Sequence, residues 1–528
     1  MNPPRATVRT VVAVLLATAL GGLLGGCSGT PDESHTLTVL AGSELKDIEP
    51  LLPDLQKATG VQLKLSYIGT LEGAEQIAGG DASDAAWFSH GKYLSLLPGA
   101  GSRIVASEKI MLSPVVIGVK DSVARKFGWA DNPNVTWKDI EARSADGSFH
   151  FAMTNPAASN SGLTALIGVA SALSGSSDSI DTGTIDKDAL RAFFRGQTLT
   201  AGSSGFLADA YVRSQATLDG IVNYESVLLT LDASGKLTEP LDLIYPKEGI
   251  VTADYPFMLL DAAKRDSYDK VVAYFRTPEV QKRLMTETLR RPAVPGIVLD
   301  SRFPTATLIE LPYPSKLDTI DALITAYLDE VRKPSSAIFV LDLSGSMAGE
   351  RLDDLKSSIS ALTGTDQSLT GRFSRFRARE QVTIVTFSGD VLDTRDFTID
   401  DTKPDAPEMQ AIRSYVDGLD THDGTAIYTA LEDAYQVVAD KQATDPDRLY
   451  SIVLMTDGEN NAGVDSGGFQ SDYQALSGPV AAVHVYPILF GDAKVDDMQA
   501  IADLTGGKVF DAKAGALDTI FKQIRGYQ

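Results

Sequence analysis

Oxygen-bearing side chains follow the ends of several apolar segments in this chain of 528 residues. In AIFVLDLSGSM, the apolar run is followed at once by Asp342, Ser344 and Ser346. Two later segments also carry oxygen-bearing side chains. DGTAIYTAL has Thr425 at a predicted helix start, and the strand-like run of SIVLMTDGEN is followed by Asp457. Hard oxygens are the ligands that Mg²⁺ prefers, and a few suffice because the ion keeps several waters. These residues predict a divalent-cation site, with Mg²⁺ the favoured ion and Mn²⁺ or Ca²⁺ possible.

Strands and helices that alternate would bring these oxygens to one place. Strand patterns at 382–388, 451–457 and 484–490 are separated by helical patterns, which lie at 352–362, 426–438 and 473–483. Such alternation is typical of a parallel α/β sheet, where ligands bind at the carboxyl ends of the strands. A cap at Ser346 and an ordinary turn at Asp457 remain the alternative interpretation.

The set DLSGS, a distant GT pair and a strand-borne TDG resembles the von Willebrand factor A domain and its metal-ion-dependent adhesion site, over about residues 337–523. The resemblance implies a doubly wound, Rossmann-like fold. It also implies that an acidic side chain of a protein partner completes the coordination of the metal. Asp423 departs from the pattern, because glycine often stands there. The resemblance implies that the metal ligands are Asp342, Ser344, Ser346, Thr425 and Asp457.

The N-terminal half also alternates strand-like and helix-like segments. LTVLAG is followed by apolar residues at helical spacing and then by VQLKLSYIG, which predicts a βαβ beginning. Further strand patterns lie at 109–120, 149–154 and 242–251, and further helical patterns at 163–173, 205–215 and 278–289. A parallel α/β architecture is therefore expected here as well.

The order of AGSEL, YIGTLEG, AAWFSH, EKIMLSPVVIGVK, TNPAASNSG, NYESVLL and TPEVQKRLMTETLRRP resembles a bacterial extracellular solute-binding protein of the two-lobed periplasmic type. The resemblance runs from Leu37 to about Pro312. It implies two α/β lobes joined by crossing strands, with a small polar solute in the cleft. Lobe one would comprise 37 to about 116 and 255 to 312, and lobe two the residues between.

The segment TNPAASNSG supports a binding role in its own right. Ser159, Asn160 and Ser161 stand at a predicted helix start, where free N–H groups and the helix dipole favour an oxyanion or carboxylate. Plain capping of the helix by serine or asparagine explains the same residues without a ligand. The residues predicted to contact a solute are Ser43, Thr70, Ser89, Ser113, Ser159, Ser161, Tyr224 and Glu225.

The N-terminus has the pattern of an export signal. Arg5 and Arg9 precede an apolar run that ends in glycines and LGGC. This resembles a bacterial lipoprotein signal, in which Cys27 would be acylated, although an uncleaved anchor is the alternative. Cys27 is the only cysteine, so no internal disulfide can form. We expect a protein anchored by lipid at the outer face of the cytoplasmic membrane.

Composition excludes some functions. The formal charge of −23 provides none of the basic surface that nucleic-acid binding needs, so no nucleic-acid partner is expected. The sequence contains neither H-E-x-x-H, nor a P-loop, nor G-x-S-x-G, which disfavours an enzyme. A metal-assisted hydrolase and an adhesion protein with a degenerate cleft remain alternatives to a solute-binding and partner-binding lipoprotein.

The chain is accordingly divided into five parts. They are a signal peptide (1–26), a tether (27–35), a two-lobed solute-binding-like domain (36–312), a linker helix (313–334) and a von Willebrand factor A domain (335–528).

Overall fold

The computed structural model describes residues 35–175, 179–304, 308–513 and 516–528. The predicted signal peptide and Cys27 lie outside these residues. Three sheets organise the described chain, two of them in the N-terminal domain and one in the C-terminal domain, which is residues 335–528. No helix in the described ranges has the length and apolar character that a membrane crossing requires.

The strands are β1 (Thr36–Ala41), β2 (Gln62–Tyr67), β3 (Ala85–Trp87), β4 (Ala106–Lys109), β5 (Met111–Lys120), β6 (Phe151–Thr154), β7 (Gln197–Ala201), β8 (Gly220–Tyr224), β9 (Leu241–Ile244), β10 (Thr252–Ala253), β11 (Pro256–Leu259), β12 (Arg291–Pro292), β13 (Ser335–Asp342), β14 (Gln381–Phe387), β15 (Val391–Thr398), β16 (Leu449–Thr456), β17 (Val485–Leu489) and β18 (Phe510–Asp511).

The α-helices are α1 (Leu52–Thr59), α2 (Thr70–Ala78), α3 (Lys92–Leu96), α4 (Asp121–Phe127), α5 (Trp137–Ala145), α6 (Asn160–Leu173), α7 (Lys187–Phe194), α8 (Ser204–Ser214), α9 (Glu225–Ala233), α10 (Arg265–Phe275), α11 (Pro278–Thr288), α12 (Leu317–Ala326), α13 (Glu350–Ser360), α14 (Leu369–Ser374), α15 (Pro407–Asp417), α16 (Ile427–Thr444), α17 (Ser466–Ala475), α18 (Gly478–Ala481), α19 (Val495–Thr505) and α20 (Leu517–Ile524).

The N-terminal domain has two lobes. Lobe one is built on a sheet of order β2-β1-β3-β11-β4, and lobe two on a sheet of order β10-β5-β8-β6-β7, with β9 and β12 also paired to β5. The chain passes between the two sheets at Met111 and returns at Pro256, close to the predicted positions of about 116 and 255. The predicted strand 242–251 is wrong in its second half. β9 ends at Ile244, and Pro246, which has no N–H to donate, stands just beyond it.

The C-terminal domain is built on a six-stranded sheet of order β15-β14-β13-β16-β17-β18. β13 is parallel to both of its neighbours, and every residue in it is buried. A strand covered on both faces needs an unbroken apolar run, which AIFVL supplies. The carboxyl ends of β13 and β16 therefore meet at one edge of the sheet.

One edge of this sheet is polar. Within the described part of the chain, β15 pairs with β14 alone, in antiparallel register, and its residues are exposed or half-buried. Its charged residues make ion pairs, Arg395 with Asp393 and Asp396 with Lys441 of α16.

The linker helix packs on lobe two. α12 continues as a π-helical turn, Tyr327–Val331, in which the Tyr327 hydroxyl donates to the Gln197 side-chain oxygen at 3.0 Å. The Tyr327 ring also lies edge-on to Phe194 of α7, with centroids 5.1 Å apart. The apolar face of this helix belongs to the same buried cluster as the core of the N-terminal domain. The segment between the domains is thus fixed by packing.

Candidate metal site and interlobe cleft

Asp342 ends β13 with a fully buried side chain. One carboxylate oxygen accepts a hydrogen bond from the Ser344 N–H at 2.7 Å, and the other accepts one from the Thr456 hydroxyl at 2.6 Å. Burial raises the pKa of the Asp342 carboxyl, against the lowering effect of these two hydrogen bonds, and the Asp457 carboxylate adds to the rise. A bound cation would offset this cost of burying negative charge.

The other predicted ligands lie beside Asp342. The Ser344 and Ser346 hydroxyl oxygens are 3.0 Å apart, and the Ser346 hydroxyl donates to Asp457 at 2.7 Å. A Cβ placed on Gly458 would lie 3.6 Å from the hydroxyl oxygens of both Ser346 and Thr425. The structure therefore brings all five residues together, and their binding of a metal stays a prediction.

Thr425 is positioned by a tight loop. Its N–H donates to the Asn461 side-chain oxygen at 2.8 Å, and the next residue, Ala426, donates to the Ser388 carbonyl at 2.6 Å. Gly424 before it has φ +88°, and a Cβ there would lie 2.8 Å from the Cα of Gly389. Asp423, which departs from the family pattern, is exposed.

Arg351 is a neighbour of the site that sequence reasoning missed. Its guanidinium contacts the second carboxylate oxygen of Asp457 and also pairs with the exposed Asp492 at 2.8 Å. One carboxylate oxygen of Asp457 thus accepts a hydrogen bond from Ser346, and the other contacts the Arg351 guanidinium. No group of three or more His, Cys, Asp or Glu that could hold a metal occurs in the described ranges. The donor set of two carboxylates and three hydroxyls fits a hard cation with remaining waters.

A cavity of about 410 Å³ lies at the mouth of the interlobe cleft. Its walls come from lobe one, from lobe two and from the C-terminal domain. The lobes are close together here, since a Cβ on Gly69 would lie 3.2 Å from the Ala158 carbonyl oxygen. The cavity is therefore shared by three parts of the chain, which the sequence analysis did not predict.

Three helices begin at the walls of this cavity. They are α2 at Thr70, α6 at Asn160 and α8 at Ser204, and none of their N-cap residues makes a side-chain capping hydrogen bond. Asn160 is 5% exposed, and its side-chain oxygen has no hydrogen-bond partner. Free N–H groups at three helix starts favour a polar or anionic group between them.

The charged residues of the cavity have both signs. Lys508 donates to the Tyr527 hydroxyl at 2.9 Å, and Lys522 pairs with Asp366 at 2.5 Å. Burial raises the pKa of Glu44 and, with a smaller contribution from Glu75, that of Glu72. The cavity thus offers contacts to a solute that carries an anionic group and hydrogen-bond donors.

Most of the predicted cleft residues lie at or just behind this cavity. Ser43, Thr70 and Ser159 line it. Behind the wall, the Ser89 hydroxyl is 2.8 Å from the Tyr224 hydroxyl and accepts from the Asn160 amide at 2.7 Å, so that the two lobes are joined. These contacts leave the cleft closed at its base.

Three other predicted residues have partners within the protein. Ser161 lies 2.8 Å from the Thr154 hydroxyl. Ser113 donates to Ser226 at 3.1 Å. Glu225 is fully buried and makes two 2.7 Å hydrogen bonds with Arg291. Glu225 thus has an ion-pair partner within the protein, and its contact with a ligand stays a prediction.

Two family models match the chain. Residues 37–287 match the model of bacterial extracellular solute-binding proteins, and residues 337–459 match the von Willebrand factor type A domain. A comparison with curated proteins gave no match.

Among solved structures, the periplasmic binding protein AfuA from Actinobacillus pleuropneumoniae is 16% identical, with 56% of this chain and 98% of that chain covered at a TM-score of 0.43. The sulfate-binding protein SubI from Mycobacterium tuberculosis H37Rv is 18% identical over 49% of this chain and 88% of that chain, with a TM-score of 0.39. The ferric binding protein from Campylobacter jejuni is 14% identical over 55% of this chain and 98% of that chain, with a TM-score of 0.42.

The chain therefore consists of a two-lobed, periplasmic-binding-protein-like solute-binding domain followed by a Rossmann-like von Willebrand factor A domain.

Proposed function

We propose that this protein is an exported, lipid-anchored binding protein with two sites. The metal site would hold a divalent cation and bind an acidic side chain of a protein partner, and the cleft would bind a small polar or anionic solute. The observation that carries the proposal is the meeting of Asp342, Ser346 and Asp457 at one sheet edge, joined through hydrogen bonds.

The charge of the metal site supports partner binding. The two carboxylates balance the charge of Mg²⁺, and the three hydroxyls add no charge. A cation held there by five protein oxygens at most would keep room for a further ligand. A partner carboxylate could fill that open position on the cation.

Partner binding is tested by pull-down from a membrane extract. The full chain is used with Mg²⁺, with chelator, and as the Ser344→Ala variant, whose fold is checked by circular dichroism. We expect a partner to be recovered only from the wild type with Mg²⁺. Equal recovery in all three samples would leave the metal site a structural brace between loops.

The cleft is tested separately by thermal shift, because a ligand that binds only the folded state raises its melting temperature. The panel contains inorganic phosphate, sulfate, sugars, amino acids and short peptides. We expect at least one member to stabilise the protein. No shift from any of them, with folding shown by calorimetry, would refute a solute-binding role of this kind.

The lipid anchor is tested at Cys27. Labelled fatty acid should be incorporated into the wild type and not into Cys27→Ala. Equal incorporation would show that Cys27 is not the attachment point.

A further inference from the structure

The C-terminal domain contacts lobe one through Glu75 of α2. The Glu75 carboxylate accepts from the N–H of Leu369 at 2.7 Å, and from the N–H and hydroxyl of Thr370 at 3.1 and 2.6 Å. Both donors are at the start of α14, so Glu75 satisfies helix N–H groups of another domain. Phe373 of α14 also belongs to the buried cluster that contains the core of the N-terminal domain.

The same domain contacts lobe two through its last residues. The Tyr527 ring lies against Gly202, where a Cβ would be 2.3 Å from a ring carbon. Tyr527 also packs edge-on against Phe206, with centroids 5.1 Å apart, and its hydroxyl is 3.4 Å from that of Ser203. The Arg213 guanidinium donates to the Gly506 carbonyl at 3.1 Å. Only glycine leaves room for this contact at position 202.

The two contacts are joined within the C-terminal domain. The buried Arg525 makes two hydrogen bonds, of 2.6 and 2.7 Å, with Glu380. Its Nε donates to the carbonyl of Ser374, the last residue of α14, at 2.9 Å. The segment that touches lobe two is therefore tied to the helix that touches lobe one.

We infer that the C-terminal domain is a clamp across the mouth of the cleft, so that the lobes can separate only when this domain releases one of them. Opening a cleft of this kind moves the lobes apart, and a single body bonded to both opposes that motion. The residues it places at the cavity, among them Thr370 and Tyr527, also become part of the wall that a solute would meet.

A coupling follows between the two domains. A solute that needs the closed cleft would strengthen the docking of the C-terminal domain, and loss of docking would weaken solute binding by the same factor. This consequence rests on the proposed solute-binding function. The clamp itself does not, and it is tested without a solute.

The first experiment is hydrogen exchange on the full chain with a wedge at position 202. Gly202→Val should push Tyr527 away from lobe two. Because Arg525 ties this segment to Ser374 of α14, the loss of one contact should weaken the other, and we expect at least tenfold faster exchange at the amides of Leu369 and Thr370, which contact lobe one. Gly205→Val is the matched control, because nothing lies within 4 Å of a Cβ there. Amides of β13 should stay protected in both variants, which shows that the domain remains folded.

The second experiment measures the distance between the lobes. Spin labels are placed at Lys57→Cys in lobe one and Lys138→Cys in lobe two, both exposed positions, in a chain that carries Cys27→Ser. We expect a narrow distance distribution for this background and a broader, longer one when Gly202→Val is added. Glu75→Gln, which weakens the contact with lobe one, should have the same effect and covers the case in which Gly202→Val does not fold.

Two results would overturn the clamp. One is fast exchange of the Leu369 and Thr370 amides in the wild type, which would mean that the domain is not docked. The other is a folded variant in which the Leu369 and Thr370 amides exchange fast but the distance distribution between the lobes is the same as in the background chain. A failure of the solute panel above leaves both measurements unaffected, so the two proposals are refuted by different results.

Discussion

At the scale of single residues, the candidate metal site depends on Asp342. Its two oxygens accept hydrogen bonds from Ser344 and Thr456, and Asp457 is a second carboxylate close to it. Asp342→Asn keeps the shape but removes the charge. We expect Mg²⁺ affinity to fall at least about 100-fold, or roughly 2.7 kcal/mol, as measured by titration calorimetry.

Asp423→Asn is the control for this change. Asp423 is also acidic and close in sequence to Thr425, but its side chain is exposed. We expect less than a threefold change in Mg²⁺ affinity. Equal losses in both variants would indicate diffuse attraction by acidic residues instead of a site built on Asp342.

His484 should make stability depend on pH. Burial lowers its pKa to about 4, and the nearby Arg213 contributes to the shift. Because the unfolded chain then binds the proton more tightly, the free energy of unfolding falls as the pH drops from about 6.5 to about 4, by roughly 2–3 kcal/mol. His484→Asn should remove this part of the acid sensitivity, measured as melting temperature against pH. Parallel curves for wild type and variant would contradict the assignment.

Residue types could predict which candidate metal donors lie together, but not their surroundings. Each of Asp342, Thr425 and Asp457 follows a recognisable local pattern, so their meeting follows from strand order. Arg351 carries no such signal, because an arginine in a helical segment is most often a solvated surface residue. The ion pair of Glu225 with the distant Arg291 could not be predicted either, because neither local sequence indicates it.

At the scale of elements, the loop before α16 fixes Thr425. Gly424 has φ +88°, and a Cβ there would be 2.8 Å from the Cα of Gly389. Gly424→Ala should therefore displace the loop and weaken Mg²⁺ binding at least tenfold, as measured by titration calorimetry. Gly478→Ala is the matched control, because Gly478 also has positive φ, +66°, but nothing lies within 4 Å of its added Cβ. It should lose some stability and no Mg²⁺ affinity.

Periodicity predicted the long elements better than their interruptions. The buried run of β13 and the crossing strand β5 follow from continuous apolar sequence. The predicted helix 473–483 is two helices, α17 and α18, separated at Leu476 and Ser477. The apolar spacing continues through the break, but Gly478 at positive φ and Pro479 interrupt the helical hydrogen bonds.

At the scale of the whole molecule, the two domains share a buried core. One apolar cluster contains Leu207 and Tyr211 of lobe two together with Phe521 and Tyr527 of the C-terminal domain. We therefore expect lobe two and the C-terminal domain to unfold in one calorimetric transition. Gly202→Val should separate this into two transitions, and Gly205→Val should not. Two transitions in the wild type would contradict a shared core.

This docking is the part of the architecture that sequence could not predict. Gly202 and Tyr527 are more than three hundred positions apart, and neither has a distinctive neighbourhood. Each domain also matches its own family model, and a model of one domain contains no information on how another packs against it. The linker helix was predicted as a connection, but its burial against lobe two depends on the same unpredicted packing.

The charged outer strand of the C-terminal sheet has a consequence for solubility. An uncovered β-strand presents free N–H and C=O groups to which a strand of another molecule can add. In β15, Asp393, Arg395 and Asp396 place charge along this edge. A strand added here would lie beside these charges and would have to bury part of them. The charges therefore disfavour the addition of another strand at this edge of the sheet.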